Sequence, residues 1–215
     1  MTFENPSAIL PNVNALPGDI AEAEHRTDLV NTAVEQLGGI DIVINNAGIG
    51  AIGNFADATE ERLRRIFEVD FFGATEITRL ALPHLKRGHE PAVCMVNSVL
   101  GHRAVQGKSE YCAAKFALRG WTDSLRLELK RVGVDVVAVS PSTTRTEFFN
   151  SLIGTAQGAK SSSVGSQSAE RVANKVLAAL RKRRREMILS PGGNALVWLG
   201  RLFPNLADEL LFRFA

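Results

Sequence analysis

Short runs of apolar, β-branched residues alternate along the chain with longer stretches in which apolar positions recur every three or four residues. Asp41-Ile42-Val43-Ile44, Ala92-Val93-Cys94-Met95-Val96 and Asp135-Val136-Val137-Ala138-Val139-Ser140 are bounded by polar or glycine-containing turns and read as buried strands. Between them, helical spacing predicts a helix from Glu22 to Leu37, closed by Gly38-Gly39. Asp57-Ala58-Thr59-Glu60 resembles a capping box and opens a long helix to about Lys86, with Pro83 kinking or ending its last turn. From Ser109 to Val132, Ala114, Leu118, Trp121, Leu125, Leu129 and Val132 form one apolar stripe, read as core or subunit contact. Strands alternating with helices, without internal repeats, give the α/β class.

The chemistry gathers where the strands end. Asp41–Ile44 runs into Asn45-Asn46-Ala47-Gly48, the second strand delivers Asn97-Ser98, and the third ends in Pro141-Ser142-Thr143-Thr144-Arg145-Thr146. Polar groups at the C-terminal ends of three strands lie where open parallel sheets bind ligands. Tyr111 and Lys115 are one helical turn apart in Tyr-Cys-Ala-Ala-Lys, so they share a helix face. A phenol keeps its proton to about pH 10, and an adjacent ammonium lowers that value. The pair can then exchange a proton with a substrate oxygen near neutral pH. The Ser98 hydroxyl, arriving from another element, can hydrogen-bond the same oxygen. This set suits reduction of a carbonyl or oxidation of an alcohol.

In the order and spacing of these motifs the chain resembles the short-chain dehydrogenase/reductase family, from about Asn14 to about Leu189. The resemblance implies a Rossmann-like, doubly wound parallel sheet in three layers and a nicotinamide cofactor, NAD or NADP. It implies that Ser98 orients the substrate oxygen, Tyr111 is the general acid/base, and Lys115 lowers the tyrosine pKa and holds the ribose hydroxyls. Asn45, Ala47 and Gly48 would line the adenosine side of the cleft, Asp19 would lie near the adenine, and Pro141, Thr144 and Thr146 near the nicotinamide. It also implies a small alcohol or carbonyl substrate and a homodimer or homotetramer formed through the long helices. Two positions depart from the pattern. Asp70, in Val69-Asp70-Phe71-Phe72-Gly73, stands where the family usually has an asparagine of the proton relay. An ionised carboxylate accepts hydrogen bonds and donates none, so a changed relay is expected. Ser142 stands where glycine is common.

No glycine-rich phosphate turn of the G-x-x-x-G-x-G or G-x-G-x-x-G type precedes Asp19. The sheet is therefore expected to lack its first βαβ segment, a unit of roughly 30 residues. Gly48-Ile49-Gly50-Ala51-Ile52-Gly53 is not read as its replacement, since it follows a later strand. Val13–Leu16 would then lose its neighbour and the strand at Asp41–Ile44 would present an open apolar edge. Either Val13–Leu16 slides into the vacant place or the molecule is loose there; a coding sequence begun at an internal methionine accounts for the same pattern. The alternative to an enzyme is a truncated, non-catalytic family member acting through oligomerisation.

Composition adds bounds. With 215 residues, 45% hydrophobic and 22% charged, the chain reads as one partial Rossmann-type domain spanning 1–215. A net charge of +2 gives no bias toward nucleic acid. Cys94 and Cys112 do not make a disulfide framework and read as reduced, packed thiols in a cytoplasmic chain. His25, His84, His89 and His102 lack metal-ligand spacing, so no metal is expected. Gly154–Ser168 is Gly/Ser/Ala-rich, either a flexible linker or a substrate lid with Phe148 and Phe149 as apolar contacts. Arg181-Lys182-Arg183-Arg184-Arg185 reads as a solvated helix end. The apolar tail 190–215, with Ala195–Leu199 and Leu210–Phe212, is too interrupted to span a bilayer. It docks on the domain, on a subunit or on a membrane surface, or covers a cleft for a hydrophobic substrate.

Overall fold

The structure, a computed structural model, describes residues 13–146, 148, 152–153 and 166–213. Helix α1 (Ala23–Leu37) ends on Gly38 at φ 79°, a left-handed turn that costs glycine little, and the Gly38 N–H donates to the Val34 carbonyl. Strand β1 (Ile42–Asn45) follows, then a 3-10 turn (Phe55–Asp57) and α2 (Glu60–Phe67). The cap of α2 is Thr59, whose hydroxyl accepts the Arg62 N–H, and not Asp57, which the 3-10 turn has already taken up. The long helix expected to run on to about Lys86 is interrupted. A π turn (Glu68–Gly73) separates α2 from α3 (Ala74–Leu85) and carries Asp70 inside it. Such wide turns recur at functional sites.

Strand β2 (Ala92–Val96), a 3-10 turn (Val99–Gly101), α4 (Ser109–Lys130) and β3 (Asp135–Ser140) come next. Two-residue strands β4 (Thr144–Arg145) and β5 (Gln167–Ser168) pair with each other, and α5 (Ala169–Arg181), β6 (Glu186–Ile188), α6 (Pro191–Leu202) and α7 (Pro204–Arg213) complete the order. The main sheet is parallel throughout, in the order β1-β2-β3-β6. Its register sets Asn45 beside Met95, Met95 beside Ala138 and Ala138 beside Glu186. The strands therefore end nearly level, and the loops that leave them meet on one rim.

Alternation along the strands builds two apolar layers. Val93, Met95 and Val136 face Val30, Ile77, Ala81, Leu85, Leu118 and Leu129 from α1, α3 and α4. Cys94, Val137 and Val139 face Val176, Ala179 and Leu180 of α5, with Leu189. The stripe read from α4 is core for Leu118 and Leu129 with Trp121 and Leu125 against them, whereas Val132 lies past the helix and is exposed. Strand β6 was not anticipated, because three residues after a basic run give no usable period.

The open edge is present. β1 pairs with β2 alone among the described residues, and Ile42 and Ile44 are 47% and 46% exposed. Val13–Leu16 does not fill the place beside it; it is irregular, since a strand without a neighbour has no ladder to join. Within the basic run, Arg183 departs from the solvated helix end: it sits at φ 47° and folds back on the Glu90 carbonyl (2.7 Å) and the Asp135 carboxylate (3.5 Å). Val197 of α6 and Ala207 of α7 are buried, and Asp208 pairs with Arg103, so the tail docks on its own chain. It leaves Trp198, Leu202, Phe203, Leu206 and Phe212 exposed. Among the described residues no helix is long and apolar enough to cross a membrane. Cys94 and Cys112 are free and buried, and burial pushes the Cys94 thiol up to about 12. Most of Gly154–Ser168, and Phe149, lie outside the described residues.

Candidate active site

The rim at the strand ends is built from three segments. After β2 the chain is stitched to β3: the Asn97 N–H donates to the Val139 carbonyl (2.8 Å) and the Val99 N–H to the Pro141 carbonyl (3.0 Å). Ser98 lies between them in extended backbone and caps the 3-10 turn, its hydroxyl accepting the Leu100 N–H at 3.1 Å. That turn sits directly on α4. A Cβ on Gly101 would stand 2.8 Å from the Lys115 carbonyl and 2.8 Å from the Asn97 side-chain oxygen, so glycine permits the contact. The approach brings the Ser98 hydroxyl into hydrogen-bonding contact with the Tyr111 phenol.

Lys115 is one turn further along α4, its ammonium 5.5 Å from the centre of the Tyr111 ring. The same nitrogen is 3.0 Å from Asp70 Oδ2, with side-chain exposures of 4% and 0%. The two side chains are in direct contact as a buried ion pair. The other carboxylate oxygen accepts the Ile49 N–H at 2.7 Å. Gly48 packs above the pair, where a Cβ would lie 3.4 Å from both Asp70 Oδ2 and Lys115 Nζ. Ser98, Tyr111, Lys115, Asp70 and Gly48, drawn from four stretches of sequence, thus meet at one point. Phe148 adds an apolar wall, its ring edge-on to Tyr111 at 5.7 Å.

The electrostatics differ from the expectation in one respect. The Tyr111 pKa is raised and not lowered: burial pushes it up, the Lys115 ammonium pulls it down, the Asp70 carboxylate pushes it up again, and the Ser98 hydrogen bond lowers it. The lysine acts in the expected sense and is outweighed. Burial pulls the Lys115 ammonium down, but the Asp70 carboxylate and Tyr111 outweigh that and its net direction is up. Burial pushes the Asp70 carboxyl up against the opposing Lys115 charge and the Ile49 N–H. The 3.0 Å contact and the Ile49 donor are those of a charged pair.

The other expected residues are more scattered. Asn45 is buried and committed: its amide donates to Thr78 Oγ1 (2.9 Å) and approaches Met95 Sδ (3.3 Å), tying β1 to α3 and β2. Ala47 is exposed on the rim. Asp19 accepts the Ala21 N–H (2.9 Å) and pairs with Arg65 (2.5 Å), which together hold its carboxyl below the usual range. Pro141 contributes its carbonyl to Val99, Thr144 donates to the Ser142 carbonyl (3.0 Å), and Thr146 accepts the Phe148 N–H (3.3 Å). Two supports escaped the sequence reading. One is Gly101. The other is the buried pair of Arg62 on α2 and Glu110 on α4, next to Tyr111, at 2.5 Å. Glu110 beside the tyrosine was visible in the sequence, but nothing there identified its partner, 48 residues away.

Residues 4–156 match the family profile described as short chain dehydrogenase. The uncharacterized oxidoreductase YxnA of Bacillus subtilis (strain 168) is 33% identical over 199 residues, which cover 90% of this chain. The chain spans 55% of that relative's length. Among solved structures, a short chain dehydrogenase/reductase from Burkholderia phymatum, in complex with NAD, superposes with a TM-score of 0.82 at 20% identity, over 93% of this chain and 78% of that one. A short chain dehydrogenase from Burkholderia cenocepacia J2315, in complex with NADP, gives 0.79 at 23%, over 94% and 80%. These two likenesses carry the fold; the profile, over more than half of the sequence, carries the descent. The chain belongs to the short chain dehydrogenase family.

Proposed function

We propose that the chain carries the site of an NAD(P)-dependent oxidoreductase that interconverts an alcohol and a carbonyl, with Tyr111 exchanging the proton with the substrate oxygen. The observation that carries this reading is the Ser98 hydroxyl against the Tyr111 phenol with the Lys115 ammonium one turn away. Tyr111 gives its proton to the oxygen of a carbonyl or takes one from an alcohol. Ser98 fixes the same oxygen by a second hydrogen bond, which orients the reacting carbon. Phe148 gives the substrate side an apolar wall, favouring a hydrophobic carbon skeleton.

The residues fit one end of a dinucleotide. Lys115, Pro141, Thr144 and Thr146 offer an ammonium, carbonyls and hydroxyls along the rim, and Gly48 leaves open the space beside Lys115 that a side chain would fill. By the family resemblance Ala47 and Asp19 would lie toward the adenine end, with Asn45 holding the sheet beneath them. Similar folds were crystallised with NAD and with NADP. When bound, the nicotinamide supplies or accepts the hydride. Replacing Tyr111 with Phe removes the proton-exchanging hydroxyl alone. Turnover is expected to fall by about 100-fold or more, with thermal stability and NADH or NADPH binding unchanged. Retained turnover in that variant overturns the assignment. The exposed edge of β1 and the apolar residues of α6 and α7 favour a second reading, a non-catalytic chain acting by association. Assembly of such a chain is indifferent to the same substitution.

A further inference from the structure

The chain has one tyrosine, and it is the one at this site. Among the described residues its charged surroundings are few. Lys115 and Cys112 face it from α4, Asp70 from the π turn and the Ser98 hydroxyl from the loop after β2, while Phe148 is uncharged. Cys112 is buried with its thiol pushed up, so it stays neutral. Among the described residues, and over the upward push of burial, the charge balance on Tyr111 is therefore set by Lys115 and Asp70.

Those two charges are 3.0 Å apart. A lone ammonium 5.5 Å from the ring would favour the phenolate strongly in a dry site. An ammonium with its counter-charge in contact presents a dipole, whose field falls off faster with distance. The carboxylate is also fixed: the Ile49 N–H holds Oδ1, burial prevents water from separating the pair, and Gly48 closes over it. An uncharged asparagine at this position could accept the same Ile49 N–H while leaving the lysine's charge whole.

We propose that Asp70 is a positioning residue that holds the Lys115 ammonium to itself and screens it from the Tyr111 hydroxyl, so that the tyrosine remains a proton donor to higher pH than an asparagine at position 70 would allow. The catalytic consequence rests on the oxidoreductase reading; the electrostatic one does not. Carbonyl reduction consumes the protonated tyrosine, so its rate should hold to high pH. Alcohol oxidation needs the phenolate, so its rate should climb over the same range.

The test is a near-ultraviolet absorbance titration of phenolate in the folded chain, with circular dichroism recorded at each pH and Tyr111→Phe as the blank. Asp70→Asn should move the midpoint to lower pH, with the phenolate-to-phenol ratio at fixed pH rising about tenfold, the effect of an opposite charge no longer cancelled. Lys115→Met should shift the midpoint little in the natural chain, because the unpaired buried Asp70 takes up a proton and both charges vanish. The same substitution should shift it upward by about tenfold in the Asp70→Asn background. A midpoint unmoved by Asp70→Asn, or a Lys115→Met shift equally large in both backgrounds, overturns the proposal. Should Asp70→Asn fail to fold, Lys115→Met in the natural chain decides: a small shift supports the screen and a large upward one overturns it. A catalytically silent chain with the expected titration counts against the oxidoreductase reading and leaves the screen standing. Turnover with an unmoved midpoint does the reverse.

Discussion

Gly101 is where the Ser98 loop and the Tyr111 helix touch, and Gly101→Ala tests whether that contact sets the site. The new methyl group would lie 2.8 Å from the Lys115 carbonyl and 2.8 and 2.9 Å from the two polar atoms of the Asn97 side chain. Ordinary contact begins at 3.4 Å, so the two elements must separate by about 0.6 Å. Lys115 O belongs to the backbone of a 22-residue helix packed on the core and will not yield. Asn97 is buried and its N–H is bonded to β3. The 3-10 turn must therefore give way, and Ser98 moves with it. Overpacking of this kind costs about 1–3 kcal/mol, which for a chain of this size lowers Tm by about 2–12 °C. Displacements approaching 1 Å at reacting groups cost up to about 100-fold in rate, so kcat/KM should fall by about 10- to 100-fold. Differential scanning fluorimetry and steady-state kinetics with NADH or NADPH read the two effects separately. A Gly101→Ala chain with Tm within about 1 °C and unaltered kcat/KM would refute the close-contact argument.

Glu110→Ala leaves the Arg62 guanidinium without its carboxylate in a place where the two side chains are 6% and 5% exposed, and should cost about 3–5 kcal/mol in urea unfolding. Leu118→Ala opens a cavity in the layer between α4 and the sheet and should cost about 2–5 kcal/mol by the same assay. His102 is buried against Ser140 Oγ (3.0 Å). Burial lowers its pKa against the opposing Glu186 charge, with Arg119 and Arg201 adding to the lowering. The unfolded chain then binds the extra proton first. Stability from the neutral imidazole is complete above the unfolded value of about 6.5 and is lost as pH falls through the folded value. Chemical denaturation from pH 8 downward should show that decline, and His102→Gln should flatten it.

What could be read in the sequence was whatever depends on near neighbours. The strands at Ala92–Val96 and Asp135–Ser140 declared themselves by unbroken apolar runs, α1 by its glycine stop, and Tyr111–Lys115 by a spacing fixed by one turn of helix. The open edge of β1 among the described residues was legible too, because sheet order follows from which strands are present. Contacts between distant segments were not. Asp70 and Lys115 are 45 residues apart, and only the packing of the π turn on α4 makes them a pair. The expected drop in the Tyr111 pKa followed correctly from Lys115 alone and failed because burial, and after it the Asp70 charge, entered with the fold. The π turn itself escaped because Phe67–Gly73 contains neither proline nor an internal glycine, and its apolar pattern reads as ordinary helix.

That π turn also constrains how this stretch can change in length. Each residue of a helix turns the chain by about 100°, and the wide turn absorbs one position's worth of rotation between α2 and α3. It lets α2 direct Arg62 toward α4 while α3 turns Ile77, Ala81 and Leu85 into the core. A single-residue deletion between Glu68 and Gly73 would close the wide turn into a regular helix and leave α3 in phase, whereas a deletion within α2 or α3 would rotate everything beyond it by about 100°. The stretch should therefore tolerate the loss of one residue better than the regular helices on either side of it.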